Sequence, residues 1–207
     1  MPVAYVDARC TSNRTNGTEE FRMFEADRTL GSHRWPLVRL RASSHTEVVL
    51  LSTRFFSLTT HWSTHTFPCC GDGCPCCELL PARGLFYVAV HCVGRISILE
   101  LGSQSASHFE QHAKLLHGGM RPGLVFSLSR SGAKHPVRSE VVRVVDKCSE
   151  VSMLELSSRV MTLYKFPCPN PGDELADYEL RCRTVARVRC DRVAHLLLNK
   201  RDSQTAR

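Results

Sequence analysis

At 207 residues with 43% hydrophobic content, the chain is expected to form one globular domain, or one domain with an appendage. A surplus of basic residues gives a formal charge of +7, which favours a polyanionic partner such as nucleic acid. The apolar runs are far too short to cross a bilayer, so the sequence argues against a membrane protein.

The eleven cysteines do not have the pattern of a disulfide scaffold. Their number is odd, and five of them, between Cys69 and Cys77, are crowded too closely for unstrained mutual pairing. The first residues also lack the basic and apolar segments of a secretory signal. We therefore predict a protein of a reducing compartment, most simply the cytoplasm.

The predicted elements begin after a polar leader at residues 1–20, which has no hydrophobic periodicity. The segments with β character are 37–41, 47–60, 84–92, 95–101 and a hairpin of 124–129 with 137–145. One helix is predicted over 105–117, where Phe109, Ala113 and Leu116 share a face and Gly118-Gly119 end it.

This order predicts a β-rich α+β fold, in which residues 35–146 form a small, partly open barrel of the OB type. A zinc-binding loop over 61–77 would be inserted between two of its strands. A generic α+β sheet protein fits the same pattern equally well.

The remaining residues, 147–207, are predicted to be a mostly helical extension. Residues 151–164 are ambiguous between helix and strand, and a proline-rich break follows at 166–172. Asp173 is expected to cap a helix that runs to about Leu198, with its arginines on the solvent side and a mobile polar tail behind it.

The loop between 61 and 77 carries the strongest chemical signal. Two histidines and five cysteines lie there among glycines and prolines, which suits a tetrahedral zinc site. Cys74 and Cys77 form a C-x-x-C pair, and we predict that His61 and Cys69 complete the ligand set. The other possible ligands are His65, Cys70 and Cys76.

The same loop argues against catalysis. A zinc deaminase requires His-x-Glu ahead of Pro-Cys-x-x-Cys, and Trp62 and Ser63 follow His61 instead. Asp72 is the one acid within the loop. We therefore expect a closed, structural zinc site and a protein that is not an enzyme.

His61-Trp62, Pro68-Cys69 and Cys74-Pro75-Cys76-Cys77 occur in this order, and Tyr87 and the segment 123–130 follow them. Over about residues 37–145 the chain resembles the zinc-containing single-stranded-DNA-binding proteins of T-even phages and related sequences. That resemblance implies an OB-like fold in which the zinc loop stabilises a DNA-binding cleft. The chain departs from that family in its shorter spacing, its additional cysteines and a tail that is not acidic.

The sequence analysis thus favours a single-stranded nucleic-acid-binding protein, with DNA as the expected ligand and replication or recombination proteins as further partners. Aromatic rings that stack on bases and cations that meet phosphates are the residue types it needs. The candidates are Trp62, Arg83, Tyr87, Arg130, Lys134 and Arg138. The alternative is a zinc-ribbon accessory subunit that binds another protein and no nucleic acid.

Overall fold

The computed structural model describes residues 35–205, with side chains up to residue 201. Its strands are β1 (Leu37–Val38), β2 (Ser44–Leu50), β3 (Phe56–Trp62), β4 (Thr66–Pro68), β5 (Ala82–Cys92), β6 (Arg95–Gly102), β7 (Leu124–Arg130) and β8 (Arg138–Val144). Its helices are α1 (Ser103–His117), α2 (Met153–Leu163) and α3 (Leu175–Thr205). The predicted leader at 1–20 lies outside the described residues.

Within that range the eight strands belong to one mixed sheet that does not close into a barrel. The chain divides into two compact units. The sheet unit comprises residues 35–55 and 87–152, and the loop–helix unit comprises 56–86 and the chain from 153 onward. Strand β5 contributes its first residues to the loop–helix unit and the rest to the sheet unit.

The sheet unit has the strand order β1-β6-β5-β2-β7-β8. Its β1 runs parallel to β6, whereas β2 is antiparallel to β5 and β7, and β7 and β8 form an antiparallel hairpin. The run Tyr87 to Val90 in β5 is fully buried, as expected for a central strand covered on both faces.

Helix α1 packs on β8 and β6 and closes the core of the sheet unit. The ring of Phe109 stacks on that of Phe126 with centroids 3.7 Å apart, and both side chains are fully buried. The helix ends at Gly118, which takes a left-handed conformation with φ of 74° that glycine adopts without strain.

The loop–helix unit contains β3, β4, the start of β5 and both C-terminal helices. It also contains residues 69–81 between β4 and β5, which we call the cysteine-rich loop. β3 and β4 form a short antiparallel hairpin in which His61 faces Phe67. Between α2 and α3, Arg189 donates to the carbonyls of Tyr164 and Lys165, at 2.6 and 2.8 Å. The buried Tyr178 adds a hydrogen bond to the carbonyl of Pro167 at 3.1 Å. These bonds hold the two helices together.

The structure confirms the α+β class, helix α1, the 124–144 hairpin and the C-terminal helix, whereas the β-rich character is not confirmed, because the described helices contain slightly more residues than the strands. The predicted run 47–60 is wrong in one respect, because irregular residues 51–55 divide it into β2 and β3. The ambiguous segment 151–164 is largely the helix α2. The OB-type barrel stays a prediction, since the described strands form an open sheet.

The start and the end of α3 also differ from the prediction. The helix begins at Leu175, and the carbonyl of Glu174 accepts its first bond, from Tyr178. Asp173 is therefore not the cap. Its carboxylate instead accepts the backbone N–H of Asn170 and the guanidinium of Arg181. At the other end, the helix continues to Thr205, through residues for which the sequence predicts a mobile polar tail.

Gly123 provides a test of the packing in the sheet unit. It has a φ of +91°, and a Cβ at this position would lie 2.3 Å from the carbonyl oxygen of Val145. We expect Gly123→Ala to lower the free energy of unfolding by about 2 kcal/mol or more, because backbone strain and steric overlap add. Gly94→Ala is the matched control, with φ of +76° but open space, and should cost about 1 kcal/mol. Urea unfolding of both variants measures the difference, and equal losses would contradict the steric argument.

Candidate metal centre

The hairpin of β3 and β4 positions the first predicted ligand. Successive side chains of a strand point to opposite faces, so His61 and Trp62 diverge. The His61 side chain is buried, whereas Trp62 is 59% exposed. The backbone N–H of Cys69 donates to the carbonyl of Thr59 at 2.8 Å, which extends the hairpin by one step and brings Cys69 beside His61.

The cysteine-rich loop folds back through two tight turns. Gly71 and Gly73 have φ values of 91° and 65°, which residues with a side chain rarely adopt. The N–H of Cys74 then bonds to the carbonyl of Gly71, and the N–H of Cys77 bonds to that of Cys74, both at 3.1 Å. The second turn places the sulfurs of Cys74 and Cys77 on the same side of the loop.

The four predicted ligands converge. The ligand atoms of His61, Cys69, Cys74 and Cys77 all lie within 4.8 Å of one another. The Nε2 of His61 is 3.5 Å from the Cys74 sulfur and 3.7 Å from the Cys77 sulfur. The sulfurs of Cys69 and Cys77 are 3.8 Å apart.

These separations match the edges of a tetrahedron around zinc. With Zn–S bonds of about 2.3 Å and Zn–N bonds of about 2.0 Å, such a site requires S···S distances of about 3.8 Å and S···N distances of about 3.5 Å. Three thiolates and one imidazole are also the donors that zinc prefers in structural sites. The cluster could therefore hold a metal ion.

The ring of His61 is oriented by packing. Its centroid is 5.6 Å from that of Phe67, its partner across the hairpin. The Nδ1 atom is buried and has no hydrogen-bond partner among the described residues. The Nε2 atom faces the sulfurs, so the ring presents to them the nitrogen that would bind a metal.

Among the thiol groups of the loop, that of Cys74 is the most favourable position for a negative charge. Burial by itself raises the pKa of Cys74. The backbone N–H groups of Cys70 and Cys76 donate to its sulfur, as do the thiols of Cys69 and Cys70, and together they lower its pKa to about 5. Burial raises the pKa of Cys69 to about 12. The Cys74 thiol thus ionises more readily than that of Cys69, and a thiol that binds a metal ion releases its proton.

The other three candidate ligands of the loop, His65, Cys70 and Cys76, are not members of this group of four. His65 is exposed, and its Nδ1 is 3.1 Å from the Thr64 hydroxyl. Cys76 is fully buried, and its thiol donates to the carbonyl of Cys190 on α3 at 3.2 Å. Cys70 lies within 4.8 Å of Cys74 but belongs to a different group of three sulfurs, with Cys190 as its third member.

Sequence reasoning missed Cys190, which lies more than a hundred residues beyond the loop. It is fully buried in an apolar cluster with Phe67 and Ala194. A signal was present, because small or buried side chains recur every fourth residue along α3 and define one face. They are Tyr178, Cys182, Ala186, Cys190 and Ala194. The periodicity reveals the face but not the element that it contacts.

Arg187 ties the loop to α3. Its Nη1 donates to the carbonyl of Gly73 at 3.0 Å and lies 3.5 Å from that of Asp72. The same nitrogen is 3.9 Å from the sulfur of Cys70. A cation in this position partly offsets the negative charge of a thiolate-rich centre.

The predicted nucleic-acid contacts differ in availability. Tyr87 is fully buried and its hydroxyl donates to Glu100 at 3.2 Å, so its ring has no face for a base. The Arg130 guanidinium, half-buried, binds the carbonyls of Leu40, Gly132, Ala133 and His135. The others are exposed, namely Trp62 and Arg83 in the loop–helix unit and Lys134 and Arg138 in the sheet unit.

The comparisons with known proteins found no relative of this chain. No family model matches it, and neither does any curated protein or solved structure.

The ten cysteines among the described residues are all free thiols. None of the described helices combines the length and the apolar character that crossing a membrane requires.

Substitution of single cysteines tests the ligand set. Cys74→Ser or Cys77→Ser removes a thiolate from the tetrahedron, so we expect loss of the ion bound there and loosening of residues 60–86. Cys76→Ser should keep that ion, because its sulfur points to α3. Elemental analysis of each purified variant gives the metal content. Loss of the ion in Cys76→Ser with retention in Cys77→Ser would refute the assignment.

Removal of the Arg187 side chain tests the tie between the loop and α3. Arg187→Ala deletes hydrogen bonds to loop carbonyls, and half-exposed bonds of this kind contribute about 1 kcal/mol. We expect several-fold weaker zinc binding in competition with a chromophoric chelator. The control is Arg183→Ala, one turn earlier and exposed. Equal affinities of the two variants would show that the tie does not support the centre.

Proposed function

We propose that this protein binds single-stranded nucleic acid, most simply DNA, and that a structural zinc ion shapes the binding surface. The observation that carries the proposal is the exposed indole of Trp62, which directly follows the candidate ligand His61. An ion bound to His61 would restrain the backbone on which Trp62 sits. A fixed, exposed aromatic ring is the platform on which unpaired bases stack.

Zinc is the ion that best suits the donor set. Three thiolates with one imidazole are soft or borderline ligands, which disfavours magnesium and calcium. All four positions of the tetrahedron would be filled by protein atoms. Such a closed centre stabilises structure and leaves no position for a reacting water, so we propose a binding protein that is not an enzyme.

The charge of α3 supports a polyanionic ligand. Between Arg181 and Arg201 the helix carries seven basic residues and one acid. Arg181, Arg187 and Arg189 are engaged with other protein groups. Arg183 and Arg192 are exposed, and Arg83 is exposed on β5. These cations suit contacts to phosphates. Tyr87 and Arg130 are not part of the proposed surface, because the first is buried and the second binds backbone carbonyls.

The resemblance to the zinc-containing single-stranded-DNA-binding proteins is part of this proposal, as is the OB-type arrangement of the strands. A role beside replication or recombination proteins in a reducing, cytoplasmic setting would follow from it. The free thiols are compatible with that setting.

Titration of fluorescein-labelled oligothymidylate by anisotropy tests the proposal. We expect salt-sensitive binding, micromolar or tighter at low ionic strength, because neutralised phosphates release counterions. Trp62→Ala should weaken binding by roughly tenfold, as loss of one stacked base does, whereas Trp62→Phe should keep most of the affinity. Removal of zinc should weaken binding as well.

The arginines give an independent readout. Arg83→Ala or Arg192→Ala should each reduce the slope of log affinity against log salt by about 0.7, the value for one phosphate on a single strand. Arg159→Ala, whose side chain pairs with Glu155 in α2, is the matched control and should leave the slope unchanged. Absence of salt-sensitive binding by the zinc-loaded protein would refute the proposal.

A second candidate function is an accessory subunit that binds another protein. The supporting observation is a row of exposed apolar residues along α3, since Leu180, Val188 and Leu196 are 65%, 66% and 59% exposed. Thr184 and Arg192 lie between these positions, so an interface along α3 would combine apolar contacts with polar ones. A zinc-loaded protein with no affinity for any single-stranded oligonucleotide would favour this candidate.

A further inference from the structure

A second group of sulfurs adjoins the tetrahedral centre. The sulfurs of Cys70, Cys74 and Cys190 lie within 4.8 Å of one another. Cys74 belongs to both groups, whereas the other two belong only to this one. Cys74 and Cys190 are buried and Cys70 is half-buried. Three soft donors thus converge beside the first site, on the side of it that faces α3.

The chemistry of sulfur allows Cys74 to serve both groups. A thiolate keeps three lone pairs after its bond to Cβ, so one sulfur can bind two metal ions at once. An ion among the second group would have three thiolate ligands, and its fourth position would be left to solvent or an added donor. Cys70 is the most exposed of the three, so that position would open toward its side.

The balance of charge does not oppose a second ion. Two additional thiolates and one additional divalent ion cancel, so the formal charge of the centre stays what it is with the first ion alone. Without a second ion, the Cys190 thiol donates a weak S–H hydrogen bond to the carbonyl of Pro68 at 3.6 Å, and the Cys70 thiol donates one to the Cys74 sulfur. Ion binding replaces those weak bonds with metal–sulfur bonds.

The sulfurs of Cys70 and Cys190 are held in place by secondary structure and by neighbouring side chains. Cys190 lies within α3, and its side chain packs against the buried cluster with Phe67 and Ala194. Its own carbonyl is held by the thiol of Cys76. Cys70 is adjacent to the Gly71 turn, and the guanidinium of Arg187 reaches both the Gly73 carbonyl and the Cys70 sulfur. Neither sulfur needs a large movement to bind an ion.

We propose that the loop–helix unit holds two zinc ions bridged by the sulfur of Cys74. His61, Cys69 and Cys77 complete the ligands of the first ion, and Cys70 and Cys190 those of the second. The inference rests on the proposed zinc site, because it shares a ligand with it. Its consequence is a metal link between the cysteine-rich loop and α3, which the first ion alone does not provide.

The test uses the full chain, stripped of metal under reducing conditions and reloaded with zinc or with cadmium-113. Elemental analysis should give two zinc ions for each chain. Cys190→Ser and Cys70→Ser should each hold one, since either substitution removes a ligand of the second ion alone. Cys182→Ser, a loss of a buried thiol two turns away in α3, is the matched control and should hold two. Circular dichroism confirms that each variant is folded.

Cadmium-113 NMR distinguishes a bridged pair from two separate ions. Two resonances split by mutual coupling through the Cys74 sulfur support the inference, and Cys190→Ser should leave one unsplit resonance. Two uncoupled resonances would overturn the bridge. One zinc for each chain would overturn the second site and leave the first intact, whereas no bound zinc would overturn both.

Discussion

The mutual repulsion of closely packed thiolates is the constraint on which the loop–helix unit depends. Sulfurs less than 4 Å apart, such as those of Cys69 and Cys77, cannot all ionise without strong repulsion. Cys74 is the favourable position for a negative charge, because backbone N–H groups lower the pKa of its thiol. A divalent cation bound among these sulfurs would replace the repulsion with metal–sulfur bonds. The loop also packs Cys76, Leu79 and Leu80 against the buried cluster with Phe67 and Ala194, so a bound ion would add to a stability that apolar packing already supplies.

The helix α3 complements the loop in two ways. Its small buried residues, Ala186, Cys190 and Ala194, allow the backbone to come close to the hairpin and the loop. Arg187, on an adjacent face, supplies a positive charge and satisfies loop carbonyls that have no partner in a strand. The same helix exposes other arginines, so one element both supports the centre and carries the charge that a polyanionic ligand requires.

The sheet unit is stabilised by buried side chains, an ion pair and hydrogen bonds to backbone carbonyls. Tyr87, which the sequence analysis offers as a stacking platform, is fully buried in its core, as is Phe126. An ion pair joins Arg39, directly after β1, to Glu100 in β6. The Arg130 guanidinium likewise binds the carbonyl of Leu40 and three carbonyls of the turn after β7. Residue type alone could not separate these structural roles from binding roles, because a buried and an exposed ring have the same signature along a chain.

Local features of the sequence determined most of the elements and the first metal ligands. Strand alternation, the Gly118 stop and the Cys74–Cys77 spacing act over a few residues, so His61, Cys69, Cys74 and Cys77 could be chosen from the amino-acid sequence alone. Only the tertiary structure could divide the sheet between two units, bury Tyr87 and bring Cys190 to Cys70 and Cys74. Those outcomes depend on which apolar faces meet across long stretches of chain. Such pairing arises from packing between distant elements, and a periodic pattern shows that a face exists without naming its partner.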